Sequence, residues 1–153
     1  MQVREAIELD LPVLVAIYSG SVRVIGPEKY SAAQVETWAG FAGDRERFHT
    51  KVLNSTCLVA EEDGEVVGFV TLESPGVVGL LYVRADRTRQ GIGSALVRAV
   101  VDLARRLRLC EVRTLASEFS RGLFERAGFA VLGVEESHYN GEVFVRYRMA
   151  RGV

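Results

Sequence analysis

The stretch "RTRQGIGSAL", Arg87 to Leu96, sets Gly91 and Gly93 one residue apart, between two arginines and an apolar pattern of helical period. With a strand leading in and a helix leading out, the unpaired N–H groups of the first helical turn lie at the positive end of the helix dipole. Glycine lets a ligand come close to that main chain. Such a junction suits a phosphate or pyrophosphate, with Arg89 offering a charge-assisted contact. Two well-known phosphate loops do not fit. The pattern G-x-x-x-x-G-K-[ST] needs a lysine directly after its last glycine, where Ser94 stands, and G-x-G-x-x-G needs a glycine where Leu96 stands. Taken alone, the two glycines also suit a tight strand-to-helix turn that binds nothing.

Side chains able to move a proton are spread along the chain. Glu73 ends an apolar run; Glu135, Glu136 and His138 lie together near the C-terminus; Tyr18, Tyr82 and Tyr139 are candidate proton donors. An amine must lose its proton before it attacks a carbonyl, and a lysine-type amine, with a pKa of about 10.4, needs a base more than an α-amino group at about 8. His138 titrates nearest neutrality. His138, Glu73 and Tyr82 are therefore the catalytic candidates, against the plainer readings of a solvated histidine, a solvated strand end and a packed ring. Cys57 and Cys110 have no metal-ligand spacing and read as small buried hydrophobes, so neither a metal site nor a cysteine nucleophile is expected.

The elements that must position these groups follow from periodicity. "MQVREA" reads as a first strand, and "ELDLPVLVAIYSGSV" as a helix with Asp10 as cap and Pro12 in its first turn. "YSAAQVETWAG", with Ser31 as cap, and "DRERFHTKVLN" are further helices, whose Tyr30, Trp38 and Phe41 are expected in the core or at a lip. Two strand-like runs hinge on Asp63-Gly64, a third spans Val77 to Val83, and the three suggest an antiparallel meander. After the glycine junction, Ile92, Ala95, Leu96, Ala99, Val100, Leu103 and Leu107 recur at spacings of three and four, the strongest helical signal in the chain. "CEVRTLA" is a strand, "SEFSRGLFERAG" a helix capped by Ser117 and closed by Gly128, and two last strands meet at Asn140-Gly141. The order is β, helices, βββ, α, β, α, ββ.

Composition narrows the classes. The 153 residues, 48% hydrophobic and 25% charged with three prolines, suit a single globular domain over residues 1–153. A net charge of −1 leaves no footprint for nucleic acid. The longest apolar run is shorter than a bilayer span, and Glu5, Glu8 and Asp10 interrupt any signal peptide, so neither membrane nor export is expected. The expectation is a cytoplasmic protein with reduced cysteines.

"RQGIGSAL", preceded by "LLYV" and followed by "SEFSRGLFERAGF", resembles the paired signature of the GNAT acyl-CoA-dependent N-acetyltransferases. The family's patterns are [QR]-x-x-G-x-[GA] and N-x-x-A-x-x-L-Y-x-x-x-G-F. The resemblance spans nearly the whole chain. It implies an α/β fold in which a mixed, centrally splayed sheet of about seven strands is flanked by helices. Acetyl-CoA is the implied co-substrate, and the implied reaction is direct transfer to an amine of a small molecule or peptide. A homodimer is left open. By the same resemblance Arg89, Gln90, Gly91, Ile92, Gly93 and Ser94 cradle the pyrophosphate, and Leu81, Tyr82 and Val83 run beside the pantetheine. The Val83 N–H would polarise the thioester carbonyl, while Ser117 and Phe124 take the places of the family's Asn and Tyr. Thr88 and Phe124 depart from the pattern, and a phenyl ring cannot protonate a leaving thiolate. The rival reading is a non-catalytic acyl-CoA-binding sensor or interaction module, which Phe124 favours.

Overall fold

In chain order the elements are β1 (Gln2–Glu5), α1 (Leu11–Ile25), α2 (Ala32–Gly43), α3 (Arg45–Leu53), β2 (Thr56–Glu62), β3 (Glu65–Glu73), β4 (Val77–Val83), α4 (Ile92–Arg106), β5 (Glu111–Ala116), α5 (Arg121–Arg126), β6 (Ala130–Tyr139) and β7 (Glu142–Gly152). The computed structural model describes all residues, Met1–Val153. The seven strands form one sheet in the order β1-β2-β3-β4-β5-β7-β6. Every neighbouring pair is antiparallel except β4 and β5. The expected mixed α/β architecture is therefore observed, including the β2-β3-β4 meander.

Helices cover both faces. On one side α1, α2 and α3 bury Leu14, Val22 and Phe48 against Val59 and Phe69 of the sheet. On the other, α4 and α5 bury Leu96, Val97, Val100 and Phe124 against Val67, Val70, Val112 and Met149. A central strand with both faces covered must be apolar throughout, which is why β3 is buried from Val66 to Leu72. Leu107 continues the apolar period of α4 but lies past its end and is 55% exposed.

Two local corrections follow from hydrogen bonding. Asp10 does not cap α1 with its side chain; its carboxylate instead takes two N–H groups of Arg4, at 2.8 and 3.1 Å, and the Ile7 N–H at 2.8 Å, tying β1 to the start of α1. Cys110 is exposed, whereas Cys57 is buried as expected. By contrast, Ser31 caps α2 as its sequence promises. Its Oγ accepts from the Gln34 N–H at 3.1 Å, and the Gln34 side chain returns to the Ser31 N–H at 2.9 Å and also donates to the Val143 carbonyl at 2.8 Å. The capping box thus fastens the N-terminal helices to β7.

Candidate active site

The sheet opens at its centre. β4 and β5 are paired only at Val77↔Arg113 and Val78↔Thr114 and separate beyond that point. The Arg84 N–H donates to the Val67 carbonyl at 2.8 Å, so antiparallel alternation turns the N–H and C=O groups of Leu81 and Val83 away from β3, into the gap. A cleft of about 1410 Å³ fills the gap and continues between the N-terminal helices and the last hairpin.

At one end of this cleft lies the glycine junction. Gly91, with φ of 83°, caps α4, and its carbonyl accepts from the Ala95 N–H at 3.0 Å. Arg89 is also left-handed, at φ of 61°. Between Thr88 and Ser94 no main-chain N–H donates to another group of the protein, so a row of donors faces the cleft at the helix N-terminus. Arg89 and Arg126 line the same end without an ion-pair partner, while Arg87 is held by Glu62 at 2.8 Å. Open space surrounds the Cα of Gly91, whereas a Cβ on Gly93 would meet Leu123 at 3.1 Å. Gly91 is there for its φ and Gly93 for close packing of α4 on α5. Ile92, Gly93 and Ser94 line the cleft with Arg89 and Gly91; Gln90 does not, because the left-handed turn at Arg89 leaves it outside.

Ser117 and Phe124 wall the cleft beside the cradle. The Ser117 Oγ accepts from the N–H groups of Phe119 and Ser120 at 3.2 Å each, so it caps a turn, and α5 itself begins only at Arg121. Phe124 is 2% exposed and packs edge-on to Phe129 at 5.1 Å.

The acid–base candidates separate sharply. Glu73 lines the cleft, its Oε1 accepting from Lys51 Nζ at 3.1 Å. It sits at a β-bulge, where β4 carries one residue more than β3: Val70 pairs with Leu81 but Leu72 with Val78. The Leu80 N–H is taken by Thr71 Oγ1 at 2.8 Å, and the free Oε2 of Glu73 rests against Gly79, where a Cβ would stand only 1.8 Å from it. His138 is not at the site. Along β6 it is Ser137 and Tyr139 that face the cleft, so period-two alternation turns His138 outward, its side chain 71% exposed. Glu135 and Glu136 are exposed too.

Tyr82 lines the cleft but belongs to an aromatic cluster, its ring 4.5 Å from Tyr18, with its hydroxyl accepting from Trp38 Nε1 at 3.0 Å. Burial pushes its pKa up to about 12, against the smaller opposing effect of the Trp38 hydrogen bond, so it holds its proton and is no base. Burial pushes Tyr18 higher still, and its hydroxyl donates to the Trp38 carbonyl at 2.9 Å. The sequence reading passed over Lys51, Thr71 and Arg146. Register at the bulge sets buried Thr71 against Leu80 behind the cleft, strand pairing carries Arg146 to the cleft wall, and Lys51 reaches it from α3; no spacing signal announces them.

A splayed mixed sheet with a row of free N–H groups at its central helix defines an acyl-CoA-dependent transferase. The row fits a pyrophosphate, and the open edge of β4 offers alternating donors and acceptors to an extended amide chain. The chain belongs to the acetyltransferase (GNAT) domain family, which it matches over residues 27–151. It is 27% identical over 149 residues to the uncharacterized N-acetyltransferase YafP of Escherichia coli K12, a match covering 97% of this chain and 94% of that protein. A GCN5-related N-acetyltransferase from Rhodopseudomonas palustris superposes with a TM-score of 0.95 at 26% identity, covering 99% of this chain and 95% of that one. The PaiA N-acetyltransferase of Thermoplasma acidophilum, solved with coenzyme A, has the same fold, with a TM-score of 0.80 at 18% identity and coverage of 99% and 98%. The protein is thus an N-acetyltransferase of this family, whose co-substrate is acetyl-CoA.

Proposed function

We propose that Glu73 is the general base and that the acceptor amine enters between the N-terminal helices and the β6–β7 hairpin. The observation that carries this reading is the free Oε2 of Glu73 at the β4 bulge, the point where the splay begins. Lys51 holds the other oxygen and so fixes the carboxylate's orientation. Oε2 takes the proton as the amine nitrogen attacks the acetyl carbonyl; the C–S bond then breaks and the electron pair leaves with the CoA sulfur.

The donor to the carbonyl oxygen is reassigned from Val83 to Leu81. Both N–H groups face the gap, but Val83 lies at the cradle end of β4 and Leu81 about 6–7 Å further toward the bulge, at a strand rise of about 3.3 Å per residue. Leu81 is the nearer to Glu73, and its N–H stabilises the charge that develops on that oxygen. Phe124 supplies no proton. A thiol with a pKa of about 8.5 is stable enough as a thiolate to leave without one near neutral pH. An apolar wall there is compatible with turnover, which answers the one feature that favoured a non-catalytic module. Two free cysteines support a reducing, cytoplasmic setting.

Glu73→Gln tests the reading. With a rapidly reacting acceptor in hand, kcat/KM falls by about 10²–10⁴, the usual worth of a general base, while CoA affinity is retained. Unchanged kcat/KM across pH 6–9 would show that the enzyme draws neutral amine from solution.

A further inference from the structure

Two guanidinium groups on the acceptor side of the cleft, those of Arg146 and Arg47, have no carboxylate within ion-pairing distance, whereas the nearby Lys51 is paired with Glu73. Arg146 is the more constrained of the two. It is half-buried on β7, one residue beyond the last pairing with β5, Ala116↔Tyr147, and so stands across the splay from β4. Its Nη1 donates to the Tyr30 hydroxyl at 2.9 Å and to the Val145 carbonyl at 3.1 Å. The guanidinium lies over the rings of Phe144, at 5.0 Å, and Trp38, at 6.0 Å. Nε and Nη2 have no protein acceptor.

A cation walled by aromatic rings loses hydration that the ring faces only partly replace, so a counter-anion is the complement it lacks. Nη1 already fixes the plane, and the free Nε–H and Nη2–H form the edge of the fork that takes a carboxylate with two parallel bonds. Arg47 sits nearer the mouth, stacked on Phe41 and Tyr139 at 5.2 Å from each and donating to the Tyr139 hydroxyl at 3.0 Å. The carboxylates of Asp44 and Glu46 line the cleft only at this exposed rim, and Asp44 is engaged by the Arg47 N–H at 3.1 Å.

We infer that the acceptor is an amine that itself carries a carboxylate, of the amino acid type, seated with the carboxylate on Arg146 and the amine toward Glu73. This rests on the reading of Glu73 as base. It disfavours polycationic acceptors, which Arg146 and Arg47 repel.

The test is a matched panel of α-, β- and γ-amino acids and the carboxamide of each, assayed by CoA release with the wild type, Arg146→Gln, Arg146→Lys and Glu73→Gln. At least one free acid reacts with kcat/KM roughly 10- to 100-fold above its carboxamide, the worth of a charge-assisted pair. In Arg146→Gln that ratio falls to about one, and Arg146→Lys, which keeps the charge without the fork, recovers it only in part. Equal rates for acid and carboxamide in the wild type would overturn the inference. So would an equal loss on both in Arg146→Gln, or no carboxylate-bearing amine reacting above background. Should Arg146→Gln fail to fold, the wild-type ratio and its decline in Arg146→Lys decide. Glu73→Gln slows acid and carboxamide alike and leaves their ratio intact, so failure of the base assignment is read separately from failure of the anion site.

Discussion

A methyl group on Gly79 is the most discriminating perturbation of this site. An added Cβ would stand 1.8 Å from Glu73 Oε2, 2.7 Å from its Cδ and 3.1 Å from Thr71 Oγ1. The first two distances are impossible, and the element that yields is the end of a long side chain 31% exposed to solvent, not the backbone. Gly79→Ala therefore swings the carboxylate off the bulge by more than 1 Å while the Leu80 to Thr71 bond holds the strand, so stability changes by less than about 1 kcal/mol. A displacement of that size costs a positioned catalytic group about 10²-fold or more, and the ceiling is the loss of the base, about 10²–10⁴ or about 3–5.5 kcal/mol. Steady-state kinetics of Gly79→Ala, Glu73→Gln and the double variant, with CoA affinity by calorimetry, form the assay. Both single variants and the double variant should fall to nearly the same kcat/KM, because once the carboxylate is displaced its removal changes nothing further. Full activity in Gly79→Ala, or losses that add in the double variant, would refute the placement of Glu73.

Gly91→Ala forces a Cβ into a left-handed residue with open space around it, so its cost is conformational, about 1–2 kcal/mol, and CoA affinity by calorimetry weakens about 5- to 30-fold without loss of fold. Phe124→Tyr leaves kcat within about threefold, since the leaving thiolate, from a thiol with a pKa of about 8.5, needs no proton; a tenfold rise would show that proton delivery limits turnover. Hydrogen bonds from Arg4 hold the Asp10 carboxyl below the usual carboxylate range, against the opposing effect of its burial. A depressed folded-state pKa stabilises above the unfolded value of about 3.9 and loses that contribution as pH falls through the folded value. Asp10→Asn is thus less stable than wild type by about 1.5–3 kcal/mol in urea at pH 7, and the gap closes below about pH 4.

The cradle and the elements around it were legible because their information is local. The three-and-four spacing of Ile92, Ala95, Leu96, Ala99 and Val100, the cap at Ser31 and the turns at Asp63-Gly64 and Asn140-Gly141 each act over a few residues, and all stand where the pattern puts them. The linked motifs around Gly91 and Phe124 carried the family for the same reason. Asp10 misled, because a good capping residue found a stronger partner in Arg4, six residues back and on another element. The acceptor half of the cleft depends on register, which no short window contains. One extra residue in β4 brings Glu73 against Gly79, the departure of β5 after Val78 leaves the edge of Leu81 unpaired, and one step along β6 turns His138 to solvent while Ser137 and Tyr139 face inward. The hairpin inserts β7, not β6, beside β5, and that choice delivers Arg146 from the far end of the chain to the Tyr30 hydroxyl and the ring of Trp38. Side-chain period, turns and caps were thus settled by neighbours along the chain. The positions of Glu73, Leu81 and Arg146 were settled by strand pairing at a distance, where a slip of one residue reverses every face.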